Sequence, residues 1–364
     1  MKKSIESYWQ ELIKSGGKRG RDKFLFRTLI ILSKIYSLVW ESYLLLYRLK
    51  ILKKEKLPLK VISVGNITLG GTGKTSTVEM LAREYLKKEQ SLAILLRGYG
   101  GQGKGKMPLV SDGRKILMTA QEAGDEAYLL AKCLPQVPVL VGKNRVLTAE
   151  IARRRLGVNL VILDDGYQYL KLFKDEEVVL IDATSPFGNN YLFPAGTLRE
   201  RKENLRRANS ILLTKVDQIS LEEVKKLKEI VFKSNPQAEI FEGEYLPLHL
   251  RDLKSSKHLN LDLVKGKRVA AFSGIGDPSS FEKMLKKLEA SFVLGFRFAD
   301  HHFYTEEEIE EIMDESLKNK IEMLITTEKD AVRVPPSCLG LTAGRQVPDN
   351  LPFLVLGVKM AIRC

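Results

Sequence analysis

The sequence predicts an α/β fold: a parallel sheet covered by helices on both faces, a smaller carboxyl-terminal α/β domain, and an amino-terminal amphipathic membrane helix. Three observations predict it. Short, nearly continuous apolar runs alternate with helical patterns along most of the chain. A glycine-rich turn follows the first of those runs. A strongly basic amino-terminal tract encloses a long apolar stretch. Strands that are apolar throughout are buried on both faces, which requires crossover helices and a parallel sheet.

The chain has 364 residues, 44% of them apolar, enough for one large or two moderate domains. Residues 1–56 read as a basic, amphipathic segment, 57–235 as the core domain and 236–364 as the smaller domain with connector strands. Cys133, Cys338 and Cys364 lie far apart, so no disulfide framework or zinc site is expected. The net charge is +14. Residues 1–60 hold fifteen Lys/Arg against five Asp/Glu, a surplus of ten in this one segment. Because the basic excess is interleaved with apolar residues, it suits a membrane surface and not a nucleic acid.

Within 24–50, Arg27, Lys34, Glu41 and Arg48 recur at every seventh position, a narrow polar stripe on an otherwise apolar helix. The runs between charges are too short for a spanning helix of ~20 apolar residues. No small-residue cleavage site marks a signal peptide. The helix either packs on the protein with its stripe outward or lies in the lipid interface. In the second case Tyr36, Trp40, Tyr43 and Tyr47 sit at headgroup depth. Flanking basic clusters favour the interface, and both hold if different faces meet protein and lipid.

The first core strand is 59–65, followed by Thr68, Leu69, Gly70, Gly71, Thr72, Gly73, Lys74 and Thr75, then a helix to about Lys88. Strand, glycine-rich turn, GKT and helix form a phosphate-binding loop. Backbone N–H groups and the helix N-terminus converge on phosphate, Lys74 reaches the β/γ-phosphates, and Thr75 ligates Mg²⁺. Thr68 stands where the usual pattern has its first glycine. The sheet is therefore P-loop NTPase-like, and a nucleotide with Mg²⁺ is expected, with the reaction left open.

Further strands are expected at 91–96, 137–141, 159–164, 177–181 and 209–214, with functional groups at their carboxyl ends. Asp164 and Asp165 close the 159–164 run, an arrangement suited to holding Mg²⁺. The alternative for such an Asp is a turn or helix cap. Asp125 and Glu126 open a helical run at 127–134, and alone they are explained by the helix dipole. Arg145 and Arg199 bring guanidinium groups suited to phosphate. Thr214-Lys215-Val216-Asp217 is similar to a GTPase base-reading motif but lacks its Asn.

In the second half, strands are expected at 268–272, 292–296, 322–326 and 353–358, and helices at 279–289 and 305–318. Residues 238–250 are expected to pair with the last strand as a connector. Asp300-His301-His302 reads as a group that orients a catalytic carboxylate, as a metal ligand or as a satisfied polar turn, and with four histidines and no other His/Cys cluster a zinc site is not expected.

In order along the chain, VGNITLGGTGKT (64–75), RGYGG (97–101), GDE (124–126), GKNR (142–145), LDDGYQ (163–168), FP-AG-LRE (193–200), FSGIGDP (272–278), DHHFY (300–304) and TEKDAV (327–332) together resemble the tetraacyldisaccharide 4′-kinase family. The resemblance implies transfer of the ATP γ-phosphate to the 4′-hydroxyl of a tetraacylated glucosamine disaccharide 1-phosphate, in lipid A biosynthesis. It implies attachment to the cytoplasmic face of the bacterial inner membrane through residues 24–50, with no obligate protein partner. Carried over residue by residue, Asp125 is the base and His301 its partner. Lys74, Thr75, Asp164, Asp165 and Glu126 form the ATP–Mg²⁺ apparatus. Gln168, Arg145, Arg199 and Glu200 surround the disaccharide or the transferring phosphate. Ala127, Asn144, Tyr169 and Arg201 depart from the family pattern, and none is assigned to phosphoryl transfer. The rival readings are a membrane-associated switch ATPase or GTPase, a kinase for a soluble metabolite, and a lipid-binding relative without activity.

Overall fold

The computed structural model describes residues 5–18, 20–98, 108–339 and 351–363. Tyr99, Gly100 and Gly101 of the RGYGG stretch, and Cys364, lie outside them.

The chain opens with α1 (Ile5–Ser15) and α2 (Gly20–Arg48). The core then runs β1 (Lys60–Asn66), α3 (Lys74–Lys87), β2 (Leu92–Leu96), β3 (Leu109–Asp112), α4 (Ala120–Ala123), α5 (Asp125–Cys133), β4 (Pro138–Val141), α6 (Arg145–Leu156), β5 (Leu160–Asp164), β6 (Glu176–Asp182), β7 (Ser210–Thr214) and α7 (Leu221–Ser234). The second half contains β8 (Glu239–Asp252), β9 (His258–Leu259), β10 (Arg268–Ser273), α8 (Pro278–Lys287), β11 (Ser291–Arg297), α9 (Glu306–Lys318), β12 (Met323–Thr327), α10 (Glu328–Ala331) and β13 (Phe353–Ile362).

One sheet runs through both halves in the order β11-β10-β12-β13-β8-β7-β6-β1-β5-β2-β4-β3, with β9 beside β8. The expected strands are present and parallel where crossover helices demand it: β1 pairs with β5 and β6, β2 with β4 and β5, and β10 with β11 and β12. β8 belongs to both halves. Glu239–Glu242 pair parallel with β7, and Gly243–Asp252 pair antiparallel with β13. This is the connector expected from 238–250, and it makes the sheet continuous across the 235/236 boundary.

Both faces of the first half are apolar. Ile62, Val64, Ile94, Ile162 and Leu180 pack with Val78 and Leu130 on one side. Val61, Leu95, Val161 and Leu163 pack with Ala149 and Ala152 on the other. The second half has its own core around Phe272, Leu324, Phe353 and Ile312. Burying such side chains contributes about 1.5–3 kcal/mol each. Helix starts are capped as the side chains dictate. Ser220 and Thr305 form capping boxes with Glu223 and Glu308, and Asn144 caps α6.

α2 has 29 residues, about 43 Å at 1.5 Å per residue. By length and composition it is apolar enough to cross a membrane, although its charges break it into shorter apolar runs. Its contacts divide its faces. Phe26, Ser33, Ser37 and Leu44 are buried against the body. Ser37 Oγ accepts from Arg201, and Glu41 accepts from Asn204 at 2.8 Å. Tyr36 and Trp40 also turn inward, donating to the Arg199 carbonyl and the Glu200 carboxylate. The expected placement of these two aromatics at headgroup depth is therefore corrected: their polar tips have partners on the protein. Glu41 of the charged stripe faces inward as well. The opposite face exposes Ile31, Ile35, Leu38 and Val39, with Leu38 68% and Val39 64% accessible. α1 covers the start of α2 through Leu12 and Ile13, and Trp9 Nε1 donates to the Pro194 carbonyl at 2.8 Å.

Candidate active site

A cavity of about 340 Å³ opens where the two halves meet, at the carboxyl ends of the core strands. One wall is the phosphate loop. Gly73 caps α3 at φ 94°, left-handed backbone that glycine tolerates, and a Cβ there would strike the Tyr245 hydroxyl. Asn66 donates from Nδ2 to Thr72 Oγ1 at 2.9 Å, which fixes the loop to the end of β1. Lys74 Nζ lies 3.7 Å from Asp165 Oδ1.

Asp164 ends β5 and is buried. Its Oδ2 has no hydrogen-bond partner, and burial together with the nearby Glu126 pushes its carboxyl up to about 7. Asp165 follows in left-handed backbone at φ 54° and takes a 2.7 Å hydrogen bond from Arg199 Nη1. Burial opposes its ionisation, but Lys74 and Arg199 outweigh burial and lower its pKa. Two other non-glycine residues of the cavity wall also have positive φ, Lys215 at 58° and His301 at 62°. Such backbone costs energy that surrounding contacts must offset, and it clusters at functional sites.

Asp125 and Glu126 form the first turn of α5, two residues earlier than the helical run expected from sequence. Glu126 Oε1 accepts from Thr75 Oγ1 at 2.9 Å and from Lys329 Nζ at 2.7 Å. Burial raises the Glu126 carboxyl, but Lys329 overrides this and brings it to about 2. Asp125 Oδ2 meets His301 Nδ1 at 2.8 Å, joining residues 176 positions apart. Burial again opposes the charged form, yet His301 and Arg333 hold Asp125 at about 2. The hydrogen bond to Asp125 in turn raises the His301 pKa, against burial.

Of the residues singled out from sequence, Lys74, Thr75, Asp125, Glu126, Asp164, Asp165, Arg199 and His301 all line this cavity. Gln168, Arg145 and Glu200 stand behind its wall. Glu200 is fully buried and accepts from Gln168, Arg207 and Trp40. Gln168 also donates to the Asn66 carbonyl at 2.9 Å. Arg145 is buried, with Nη2 3.4 Å from the Asp164 carbonyl. Lys215 of the TKVD stretch bridges Asp182 and Asp277 at 2.6 Å each, a link between the halves. Sequence reasoning missed Arg333 and left Lys329 and Asp330 without roles. The only signal was the TEKDAV stretch, which holds Lys329 and Asp330 and ends one residue before Arg333.

A carboxylate aimed into a cleft beside a phosphate loop is the arrangement for moving a phosphoryl group to a hydroxyl. The family model described as Tetraacyldisaccharide-1-P 4′-kinase matches residues 25–362. The chain belongs to that family. The Tetraacyldisaccharide 4′-kinase of Halothermothrix orenii is 38% identical over 373 aligned residues, covering 100% of this chain and 96% of the relative. That of Syntrophus aciditrophicus is 38% identical, over 84% of each. The crystal structure of LpxK from Aquifex aeolicus in complex with ATP is similar at TM-score 0.70 and 31% identity, covering 93% of this chain and 95% of that one. Membership makes the chain a phosphotransferase of lipid A biosynthesis.

The residues present fit Mg²⁺. Asp164 Oδ2 is a buried acceptor without a donor, and the Thr75 hydroxyl is nearby on the same wall. Among the described residues no group of three or more His, Cys, Asp or Glu forms an all-protein cage. Mg²⁺ bound with nucleotide characteristically takes one or two protein ligands and completes its shell with phosphate and water.

Proposed function

We propose that this kinase uses Asp125 as the base for the 4′-hydroxyl of its acylated disaccharide 1-phosphate, with His301 fixing the direction of the carboxylate. The observation that carries this reading is the 2.8 Å Asp125–His301 contact in the cavity that holds the phosphate loop. The hydroxyl oxygen forms the new bond to the γ-phosphorus, the bond to the β-phosphate oxygen breaks, ADP leaves, and the hydroxyl proton passes to Asp125. A carboxylate held near pKa 2 retains a proton weakly. The proton therefore moves late, as the new bond completes, which suits a loose transition state.

Lys74 and the loop 68–75 hold the β- and γ-phosphates. Thr75 and Asp164 would hold Mg²⁺, with Asp165 and Glu126 beside them. The ion, when bound, neutralises charge shifting onto the leaving phosphate. Arg199 faces the transferring group, and Gln168, Arg145 and Glu200 fix the shell behind it. The exposed apolar face of α2 lies on the lipid surface at the cytoplasmic side of the inner membrane, which delivers the headgroup to the cavity while acyl chains stay in lipid.

The test is transfer of label from γ-labelled ATP to tetraacylated disaccharide 1-phosphate in mixed micelles. Wild type should label the lipid. Lys74→Ala should abolish labelling. Asp125→Asn should lower kcat by about 10²–10⁴ while ATP affinity stays within threefold. ATP hydrolysis without labelled lipid would replace this reading with a switch ATPase.

A further inference from the structure

We infer that Arg333 is a positioning residue for phosphoryl transfer: it aims the Asp125 carboxylate and ties it to the loop that closes over the phosphate loop. The inference rests on Asp125 being the base.

Arg333 is completely buried, and its Nε lies 2.8 Å from Asp125 Oδ2, the oxygen that also meets His301. The approach is a close ion pair and not an aligned hydrogen bond, because Nε and Nη2 both lack a hydrogen-bond acceptor. Two buried, unsatisfied donors are costly. What offsets that cost is charge: Asp125 on one side and Asp330 on the other. A guanidinium held this way fixes where a carboxylate sits without competing for its lone pairs, leaving them for a substrate proton.

The other end of Arg333 is anchored. Nη1 donates to the Gly274 carbonyl at 2.7 Å and lies 3.3 Å from Asp330 Oδ1. Asp330 takes hydrogen bonds from the Gly274 N–H and the Tyr304 hydroxyl, each at 2.8 Å, and from Thr327 Oγ1 at 2.6 Å. Gly274 thus has both its N–H and its carbonyl held by this pair. Two residues on, Gly276 rests against the phosphate loop: a Cβ there would come within 3.1 Å of the Gly71 nitrogen. Asp125 belongs to the first half, whereas Arg333, Asp330, Tyr304 and Gly274 belong to the second. Arg333 therefore sets the base and the covering loop in one frame, so that correct seating of one enforces the other.

His301 alone would not do this. Its side chain is about half exposed and stands on a turn, whereas Arg333 is locked on three sides.

The experiment compares Arg333→Met, Arg333→Lys and Asp330→Asn in full-length protein, alone and with Asp125→Asn. It reads lipid kcat, KM for ATP and the thermal midpoint. If the inference holds, Arg333→Met lowers kcat on the order of a hundredfold, the scale of a small misplacement of a catalytic group, with KM for ATP within threefold. Arg333→Lys restores part of the loss by returning the charge. In the Asp125→Asn background Arg333→Met has no further effect. A kcat within twofold of wild type, or a loss that multiplies with that of Asp125→Asn, overturns it. Should Arg333→Met not fold, Asp330→Asn decides, since it leaves the Arg333 guanidinium facing Asp125 and removes only the charge that anchors its other end: lowered kcat at unchanged KM supports the inference, and full kcat overturns it. If Asp125→Asn itself is fully active, the assignment of the base has failed and not merely this extension of it.

Discussion

The Tyr36 hydroxyl donates a 2.7 Å hydrogen bond to the carbonyl of Arg199, 163 residues further along the chain. Arg199 in turn grips Asp165, and Asp165 lies beside Lys74. The helix proposed to meet lipid is thus two side chains away from the lysine of the phosphate loop. Tyr36→Phe should lower kcat/KM for the lipid about fivefold, the worth of one hydrogen bond of about 1 kcal/mol. Vesicle association should not change. Steady-state kinetics alongside cosedimentation checks both.

The outer face of α2 makes a separate prediction. Leu38→Glu with Val39→Glu places two carboxylates in the middle of the exposed apolar face. Each lost apolar side chain removes about 1.5–3 kcal/mol of insertion. Binding to anionic vesicles should fall more than tenfold. The thermal midpoint should hold, since surface changes alter stability by only about 0.5 kcal/mol.

The Asp125–His301 contact predicts a pH dependence of stability. The folded His301 pKa is raised above its ordinary value, chiefly by the hydrogen bond to Asp125. Its contribution is therefore fully present below about pH 6.5, the unfolded value, and is lost as pH rises through the folded pKa. The midpoint difference between wild type and His301→Asn should be largest in mildly acidic buffer and shrink toward alkaline pH. A thermal scan across pH measures it. A difference that grew with pH would contradict the ion pair.

Lys215 is buried and joins Asp182 of the first half to Asp277 of the second. Lys215→Met leaves two carboxylates without their cation. A loss of about 3 kcal/mol is expected, the range for breaking a buried pair from one side. Urea unfolding should show an earlier midpoint.

Much of this was legible in the residues. Apolar runs such as LVILD and SILLT declare buried parallel strands because nothing polar interrupts them. GGTGKT declares its loop because few other turns need that spacing. Other features depend on tertiary contacts that no local pattern carries. α1 does show an apolar stripe in Trp9, Leu12 and Ile13, but it is only eleven residues long and part of what it packs against, Ala195, lies far away in sequence. β3 spans only four residues and completes an edge. Tyr36 and Trp40 look like interface aromatics until Arg199 and Glu200, far away in sequence, are seen to receive their hydrogen bonds. Arg333 carries no motif beyond a charge, and its meaning comes from lying in contact with Asp125 across the two halves.

The place of β13 has a consequence for how the protein is made. It follows every other described strand in the chain, yet it lies inside the sheet, between β12 and β8. During vectorial synthesis both neighbours wait with open hydrogen-bonding edges until it emerges, while the exposed apolar face of α2 is already out. Nascent chains therefore pass through a stage with two unpaired strand edges and an unsheltered greasy surface, the conditions under which chains stick to one another. Early capture of α2 by a membrane would remove one of those hazards while translation is still under way.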